Sequence, residues 1–219
     1  MLDCDLHTHS RFFHRPPERL ARYDPGGAWL NERVARRRGL DGLCVTNHDY
    51  FRPDTLDAPG GGFRLPGIEI SSTAGHVLVV GPDPPERTVP GDLTPAEAVG
   101  LAHDHDCAAI MAHPFRNGSL PKSDAPFDAV ELNGKHPEFR ARVERLARRR
   151  DLPIVAGSDA HFPFEVGRAS TRLDVDELTP GSVVAAIRDG RVEPVVRQGR
   201  VERLLGPLYH RIHRQKGHL

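Results

Sequence analysis

The sequence predicts an α/β protein whose strand–helix units close into a barrel. Short apolar runs alternate with amphipathic stretches along its whole length, the pattern of a largely parallel sheet. About seven such units fit into 219 residues, a length at which barrels commonly form one domain. No internal repeat, low-complexity tract or linker divides the chain. Residues 1–219 are therefore expected to form a single domain, with a C-terminal helix or tail from about residue 200.

Strands are expected at Leu2–His7, Gly42–Thr46, Leu65–Ile70, His76–Gly81, Ala108–Ala112, Ala129–Leu132, Pro153–Ser158, Ser170–Asp174 and Glu193–Arg197. Each is a short apolar run bounded by turn residues. Helices are expected at Ala28–Arg38, Pro95–His103, Pro137–Arg150 and Gly181–Asp189, and a further amphipathic stretch runs from about Val201 to Gln215. Thr94-Pro95-Ala96-Glu97 reads as a helix start, with Thr as N-cap and Pro in the first turn. Asp54–Gly62 and Pro82–Pro90 read as irregular connections.

Composition excludes several classes. Thirty Lys+Arg balance thirty Asp+Glu, so no global field points to long nucleic acid or a membrane. No segment reaches membrane-spanning length, and the N-terminus lacks a signal-like apolar stretch. Cys4, Cys44 and Cys107 form no CxxC pair, and an odd count leaves one unpaired, which fits a reduced, cytoplasmic protein. Histidine is the compositional outlier, at thirteen.

In parallel barrels functional groups gather at the C-terminal ends of the strands, and the histidines do fall there. The first run ends Asp5-Leu6-His7-Thr8-His9. Residues i and i+2 of a strand share a face, so His7 and His9 form a chelating pair. The second run ends Asn47-His48-Asp49. The third carries Glu69, a carboxylate inside an apolar strand, which is costly to bury unless paired or metal-bound. His76 stands at a strand start instead, and a tight antiparallel return would bring it back beside Glu69. The fifth run ends at His113-Pro114, where Pro takes the chain out of the ladder. The seventh ends Asp159-Ala160-His161, again an i, i+2 pair. Nitrogen and oxygen donors converging in this way point to Zn, Mn or Fe and argue against a closed cysteine site.

Asp5-Leu6-His7-Thr8-His9-Ser10, Thr46-Asn47-His48-Asp49, Gly67-Ile68-Glu69-Ile70, Gly75-His76-Val77-Leu78, Ala112-His113-Pro114-Phe115 and Gly157-Ser158-Asp159-Ala160-His161 together resemble the PHP family, the polymerase and histidinol phosphatase domain. They occur in family order over about Leu2 to Asp189. The resemblance implies a distorted TIM-like (β/α)7 barrel and a trinuclear centre of two to three divalent ions. By motif, His7, His9, Glu69 and Asp159 would hold one ion. Glu69 would bridge to a second held by His76 and His113, and His48 and His161 would hold the third together with His14. Many members have Asp at the place of His14, and members usually have Asp at the place of Asn47. Members similar to nucleoside bisphosphate phosphatases carry a large insertion between the residues matching His76 and His113. Here that interval is short, and no polymerase module accompanies the domain, so the chain resembles a compact stand-alone phosphoesterase.

Metal ions lower the pKa of bound water, and the resulting hydroxide would attack phosphorus while cations neutralise the phosphoryl oxygens. The cation candidates are Arg116, then Arg168, then Lys135, because guanidinium grips phosphate with two parallel hydrogen bonds. Asp159 is the candidate proton shuttle. The expected substrate is a phosphate monoester of a small metabolite or nucleotide. The alternatives are a phosphodiesterase or exonuclease on short oligonucleotides, a non-catalytic metal-binding module, and a hydrolase of a non-phosphate bond. A degenerate module would have lost ligands that this chain keeps. His103-Asp104-His105-Asp106, Arg148-Arg149-Arg150 and the histidines of the basic tail read as solvated or dipole-favoured groups, and His136 is left outside the ligand set.

Overall fold

The computed structural model describes residues 1–10, 25–53, 56, 62–116 and 118–197. His14, the amphipathic stretch from Val201, most of the Asp54–Gly62 connection and the tail from 198 onward lie outside these described residues.

The nine expected strands and four expected helices all form. In chain order they are β1 (Leu2–Thr8), α1 (Pro25–Arg37), β2 (Gly42–Val45), β3 (Arg64–Ser72), β4 (Gly75–Val80), α2 (Pro95–Asp104), β5 (Ala108–Met111), β6 (Ala129–Asn133), α3 (Arg140–Arg150), β7 (Ile154–Gly157), β8 (Ala169–Leu173), α4 (Pro180–Arg188) and β9 (Val192–Val196). Local chemistry sets the helix starts. Thr94 Oγ1 accepts from Glu97 N at 3.3 Å while Glu97 Oε2 accepts from Thr94 N at 2.8 Å, a reciprocal cap for α2. Thr179 and Ser182 cap α4 in the same manner. The first turn of the expected Pro137–Arg150 helix is a 3-10 turn over Pro137–Phe139, after which α3 begins.

The strands make one sheet in the order β7-β6-β5-β4-β3-β2-β1-β8-β9. Pairs β1–β2, β2–β3, β5–β6 and β6–β7 are parallel, whereas β3–β4, β4–β5, β1–β8 and β8–β9 are antiparallel. The sheet is thus less parallel than the alternation of runs predicts. Two reversed strands, β4 and β8, account for every antiparallel ladder and give the barrel its distortion. β4 reverses because only Thr73 and Ala74 separate it from β3, and a parallel crossover needs a dozen residues or more.

The sheet nearly closes where β7 meets β1. Thr8 and Ala160 form a parallel bridge, and His9 N donates to Ala160 O at 2.9 Å. Gly157 permits this approach, since a Cβ there would sit 2.4 Å from His7 Cβ. Alternation along the strands sorts the buried side chains of the described residues into three cores, one of them joining Leu43 and Val45 of β2 to Ala35 of α1. Ile68, Ile70, Val77, Val79, Met111, Val130 and Leu132 face outward onto α2 and α3. Leu6, Leu65, Leu78, Val80 and Ile110 form a second core with Val183, Val184, Ala186 and Ile187 of α4. Each fully buried Leu or Ile contributes about 1.5–3 kcal/mol, enough to hold polar groups at the other end of the barrel.

Candidate metal centre

Glu69 is the hub. On β3 it lies between Ile68 and Ile70, which face the outer core, so its carboxylate takes the opposite side of the sheet. Its Oε1 is 2.8 Å from His76 Nδ1 and 2.9 Å from His113 Nε2. Its Oε2 is 3.2 Å from His7 Nε2, 3.2 Å from His9 Nε2 and 3.1 Å from His48 Nδ1. The β3–β4 hairpin pairs Ser71 with His76, which brings His76 back to the mouth of the barrel. His7 and His9 share a face of β1, while Thr8 between them turns away to donate to Cys44 O. His48 is set by main-chain bonds on both sides, Glu69 N to Asn47 O and Asp49 N to Glu69 O.

Asp159 forms the second focus. Its Oδ1 lies 3.4 Å from His9 Nε2, 3.2 Å from His161 Nδ1 and 3.1 Å from Lys135 Nζ, and its Oδ2 accepts from Arg116 Nη1 at 3.0 Å. Asp159 and His113 hold left-handed backbone (φ 51° and 25°), conformations uncommon away from glycine that cluster at functional sites.

The structure therefore gathers His7, His9, His48, Glu69, His76, His113, Asp159 and His161 at one mouth. Arg116 and Lys135 join them through Asp159. Arg168 is placed otherwise: its Nη1 is 3.7 Å from Glu165 Oε1 and its guanidinium lies 5.5 Å from the Phe164 ring centre. Glu165 in turn accepts from His161 N and Phe162 N, so Arg168 braces the turn that carries His161. His136 stacks on Phe139 and contacts Glu138. His103 and His105 pair with Asp128 and Asp83, ahead of β5, and His113 lies past its far end.

Three groups escaped the sequence reading. Glu131 of β6 is fully buried, with Oε1 2.8 Å from His7 Nδ1 and Oε2 accepting from His113 N at 2.7 Å. The signal that singles out Glu69, a carboxylate inside an apolar run, was equally present in Ala129-Val130-Glu131-Leu132. Asp5, also fully buried, accepts from Ser158 N, Gly167 N and His7 N and so ties β1 to β7 and β8. Glu165 is the third. Asn47 accepts from Ser10 N and Ser10 Oγ through its amide oxygen.

The electrostatics follow from this crowding. Burial alone would raise the Glu69 carboxyl, but His48, His7 and His76, with the hydrogen bond to His113, hold it well below the usual carboxylate range. For Asp159, burial is likewise outweighed, by Lys135 and His161. Burial pushes His48 and His161 well below the usual imidazole range, aided by neighbouring histidines and, for His161, by Lys135. Burial also opposes charge on His7, yet Glu131 and Glu69 hold its pKa well above the ordinary value.

The residues fit divalent ions. His7 Nε2, Glu69 Oε2 and Asp159 Oδ1 are buried and make no hydrogen bond among the described residues, although polar atoms lie within about 3.2 Å of each. Buried nitrogen and oxygen donors that converge without a hydrogen-bond partner are what a shared cation satisfies. Donor atoms of His7, His9 and Glu69 lie within 4.8 Å of one another, as do those of His48, Glu69 and His76, and those of His9, His48 and His161. These three groups share Glu69, His9 and His48, the arrangement of a cluster of ions and not of separate sites.

A distorted barrel with a nitrogen- and oxygen-lined cluster at its mouth defines the class of protein. Residues 137–192 match the family described as PHP-associated. No curated protein matches the chain by sequence. PsfC from Pseudomonas syringae PB-5123 superposes with a TM-score of 0.73 at 19% identity over 98% of both chains. A two-domain Bacteroides vulgatus ATCC 8482 protein containing a predicted PHP-like metal-dependent phosphoesterase gives 0.58 at 22% identity, covering 95% of this chain and 69% of that one. The lesion-specific endonuclease PfuEndoQ from Pyrococcus furiosus gives 0.58 at 19% identity over 88% of this chain and 57% of its own. The PHP-associated match is confined to residues 137–192, and the likeness to these solved structures, all below 25% identity, is one of fold.

Proposed function

We propose that the chain is a metal-dependent phosphoric ester hydrolase acting on a phosphate monoester of a small metabolite or nucleotide. The observation that carries this reading is the pair of buried carboxylates, Glu69 and Asp159, ringed by His7, His9, His48, His76, His113 and His161, with two cations at the edge. Two to three ions would be held by these eight residues together with His14, Glu69 bridging. Divalent ions in such a site supply Lewis-acid charge and lower the pKa of water.

The chain's own groups complete the chemistry. Arg116 Nη1 rests on Asp159 Oδ2 at 3.0 Å with its side chain one-fifth exposed, so its remaining N–H groups are available to phosphoryl oxygens. Lys135 Nζ, nearly buried, adds a second positive charge 3.1 Å from Asp159 Oδ1. Both would stabilise the charge that grows on the phosphoryl group as the ester bond breaks. Asp159 is the proposed proton shuttle for an attacking water. Arg168, committed to Glu165, is the weakest of the three cation candidates.

The test is a turnover screen of the manganese-loaded protein, pairing phosphomonoesters with dinucleotides and short oligonucleotides. Release of phosphate from monoesters, abolished by a chelator and restored by added metal, is the expected result. Activity confined to oligonucleotides would replace the monoesterase reading with the diesterase one. Activity on neither class would overturn both.

A further inference from the structure

Helix α3 turns to solvent a side that neither the core nor the metal centre uses. Val143, Leu146 and Ala147 are its buried residues, and Arg142, Arg145, Arg148 and Arg149 stand exposed. These four arginines and Phe115 line a groove of about 480 Å³. Among the described residues no carboxylate pairs with any of the four. Their neighbours are engaged: Arg140 has Glu144 at 3.7 Å, and Arg150 donates to Pro121 O and Ser123 O. The Arg142 guanidinium lies 4.2 Å over the Phe115 ring, which meets Phe139 edge-on at 6.2 Å.

A helix C-terminus favours cations, which accounts for Arg148 and Arg149. It does not account for Arg142 and Arg145, nor for four like charges around one concavity. The chain as a whole is electrically neutral, so this concentration is local. Guanidinium matches phosphate with parallel hydrogen bonds, and an aromatic ring offers a stacking face beside it. Phe115 lies between His113, which contacts Glu69, and Arg116, which contacts Asp159. One short segment therefore lines both the groove and the metal centre.

We infer that the α3 groove is a second phosphate-binding site, taking a ligand with several linked phosphates, either a phosphodiester chain or a polyphosphate. It would hold the non-reacting phosphates of a substrate whose ester lies at the metal centre. That last clause rests on the proposed function, and the binding itself does not.

The test compares two charge-reversed proteins, each full length and as purified. Arg145→Glu/Arg149→Glu removes two groove cations, and Arg33→Glu/Arg37→Glu makes the same charge change on the exposed side of α1. Binding of inorganic tripolyphosphate is measured by calorimetry. Binding of a fluorescein-labelled, phosphorothioate-linked hexathymidylate is measured by anisotropy, at several salt concentrations. The groove variant is expected to bind at least about tenfold more weakly than the α1 variant, with the salt slope for the oligonucleotide reduced by about 1.4, or 0.7 per lost contact. Loss with both ligands identifies linked phosphates as sufficient. Loss with the oligonucleotide alone adds stacking on Phe115 to the recognition. Equal affinity of the two variants for both ligands overturns the proposal. Both variants keep the metal centre, so binding there cancels, and the comparison reads the groove whether or not the protein proves to be a phosphoesterase.

Discussion

Glu131 Oε1 lies 2.8 Å from His7 Nδ1, and the other nitrogen of the same ring, Nε2, lies 3.2 Å from Glu69 Oε2. One carboxylate thus holds the imidazole from behind while the next faces its donor atom. The second oxygen of Glu131 accepts the main-chain N–H of His113, so a single buried side chain orients two of the candidate ligands.

Glu131→Gln should therefore weaken metal binding although Glu131 faces none of the three candidate ion positions. The amide keeps one acceptor where His7, His113 N and Asn133 Nδ2 had two to share. Outer partners of this kind are typically worth about 10- to 100-fold in metal affinity. Competition with a chromogenic chelator would measure it. An affinity within about threefold of the parent would reduce Glu131 to a packing role.

Among the described residues, Glu69 is the only carboxylate positioned to reach five histidines. Parent protein made in metal-supplemented medium should carry two to three divalent ions by elemental analysis. Glu69→Gln, which keeps the size and removes the charge, should lose at least one of them and its activity while circular dichroism stays unchanged. Full metal content with near-normal turnover in the variant would remove Glu69 from the mechanism.

What the sequence made legible, and what it did not, follows from the range of each signal. Periodicity is local, so the nine strands and the shared face of His7 and His9 could be read from neighbours alone. The reversal of β4 was legible too, because two intervening residues force it. The reversal of β8 was not, since nothing near Ala169–Leu173 says that it will lie beside Leu2–Cys4, some 170 residues away in the chain. Long-range contacts likewise hid Asp5, whose partners are Ser158 and Gly167. Glu131 is a different kind of omission, as its local signal matched that of Glu69. Arg116 and Lys135 reach the cluster, but only the folded chain shows that both do so through Asp159.

Asp5 gives a pH prediction. Burial raises its carboxyl from 3.8 to about 6, opposed by the bonds from Ser158, Gly167 and His7. Between these values the folded chain holds a proton that the unfolded chain has released. Stability contributed by this group therefore falls as pH rises through that window, by about 3 kcal/mol in all. Asp5→Asn cannot titrate, so its unfolding free energy, measured by urea in metal-free protein from pH 4 to 7, should lack that decline. Parallel pH profiles for the two proteins would show that Asp5 ionises in the folded state as it does in the unfolded chain.

Arg116 separates substrate grip from metal binding. It sits three residues past His113, its side chain is one-fifth exposed, and its one described carboxylate contact is Asp159 Oδ2. Lys135 also faces Asp159, so Arg116→Ala should leave the carboxylate paired and the metal content unchanged. If Arg116 grips the phosphoryl group, the variant loses a charge-assisted contact worth about 2–4 kcal/mol in the transition state. That corresponds to a fall in kcat/KM of about 30- to 1,000-fold. Arg116→Lys should recover only part of it, because an ammonium cannot reproduce the planar fork. Steady-state kinetics on a substrate from the turnover screen, with elemental analysis of each variant, would decide. A fall of less than about twofold with full metal content would move the clamp to Lys135, the other cation at Asp159. A matching loss of metal would instead make Arg116 a support for Asp159, acting on the ions and not on the substrate.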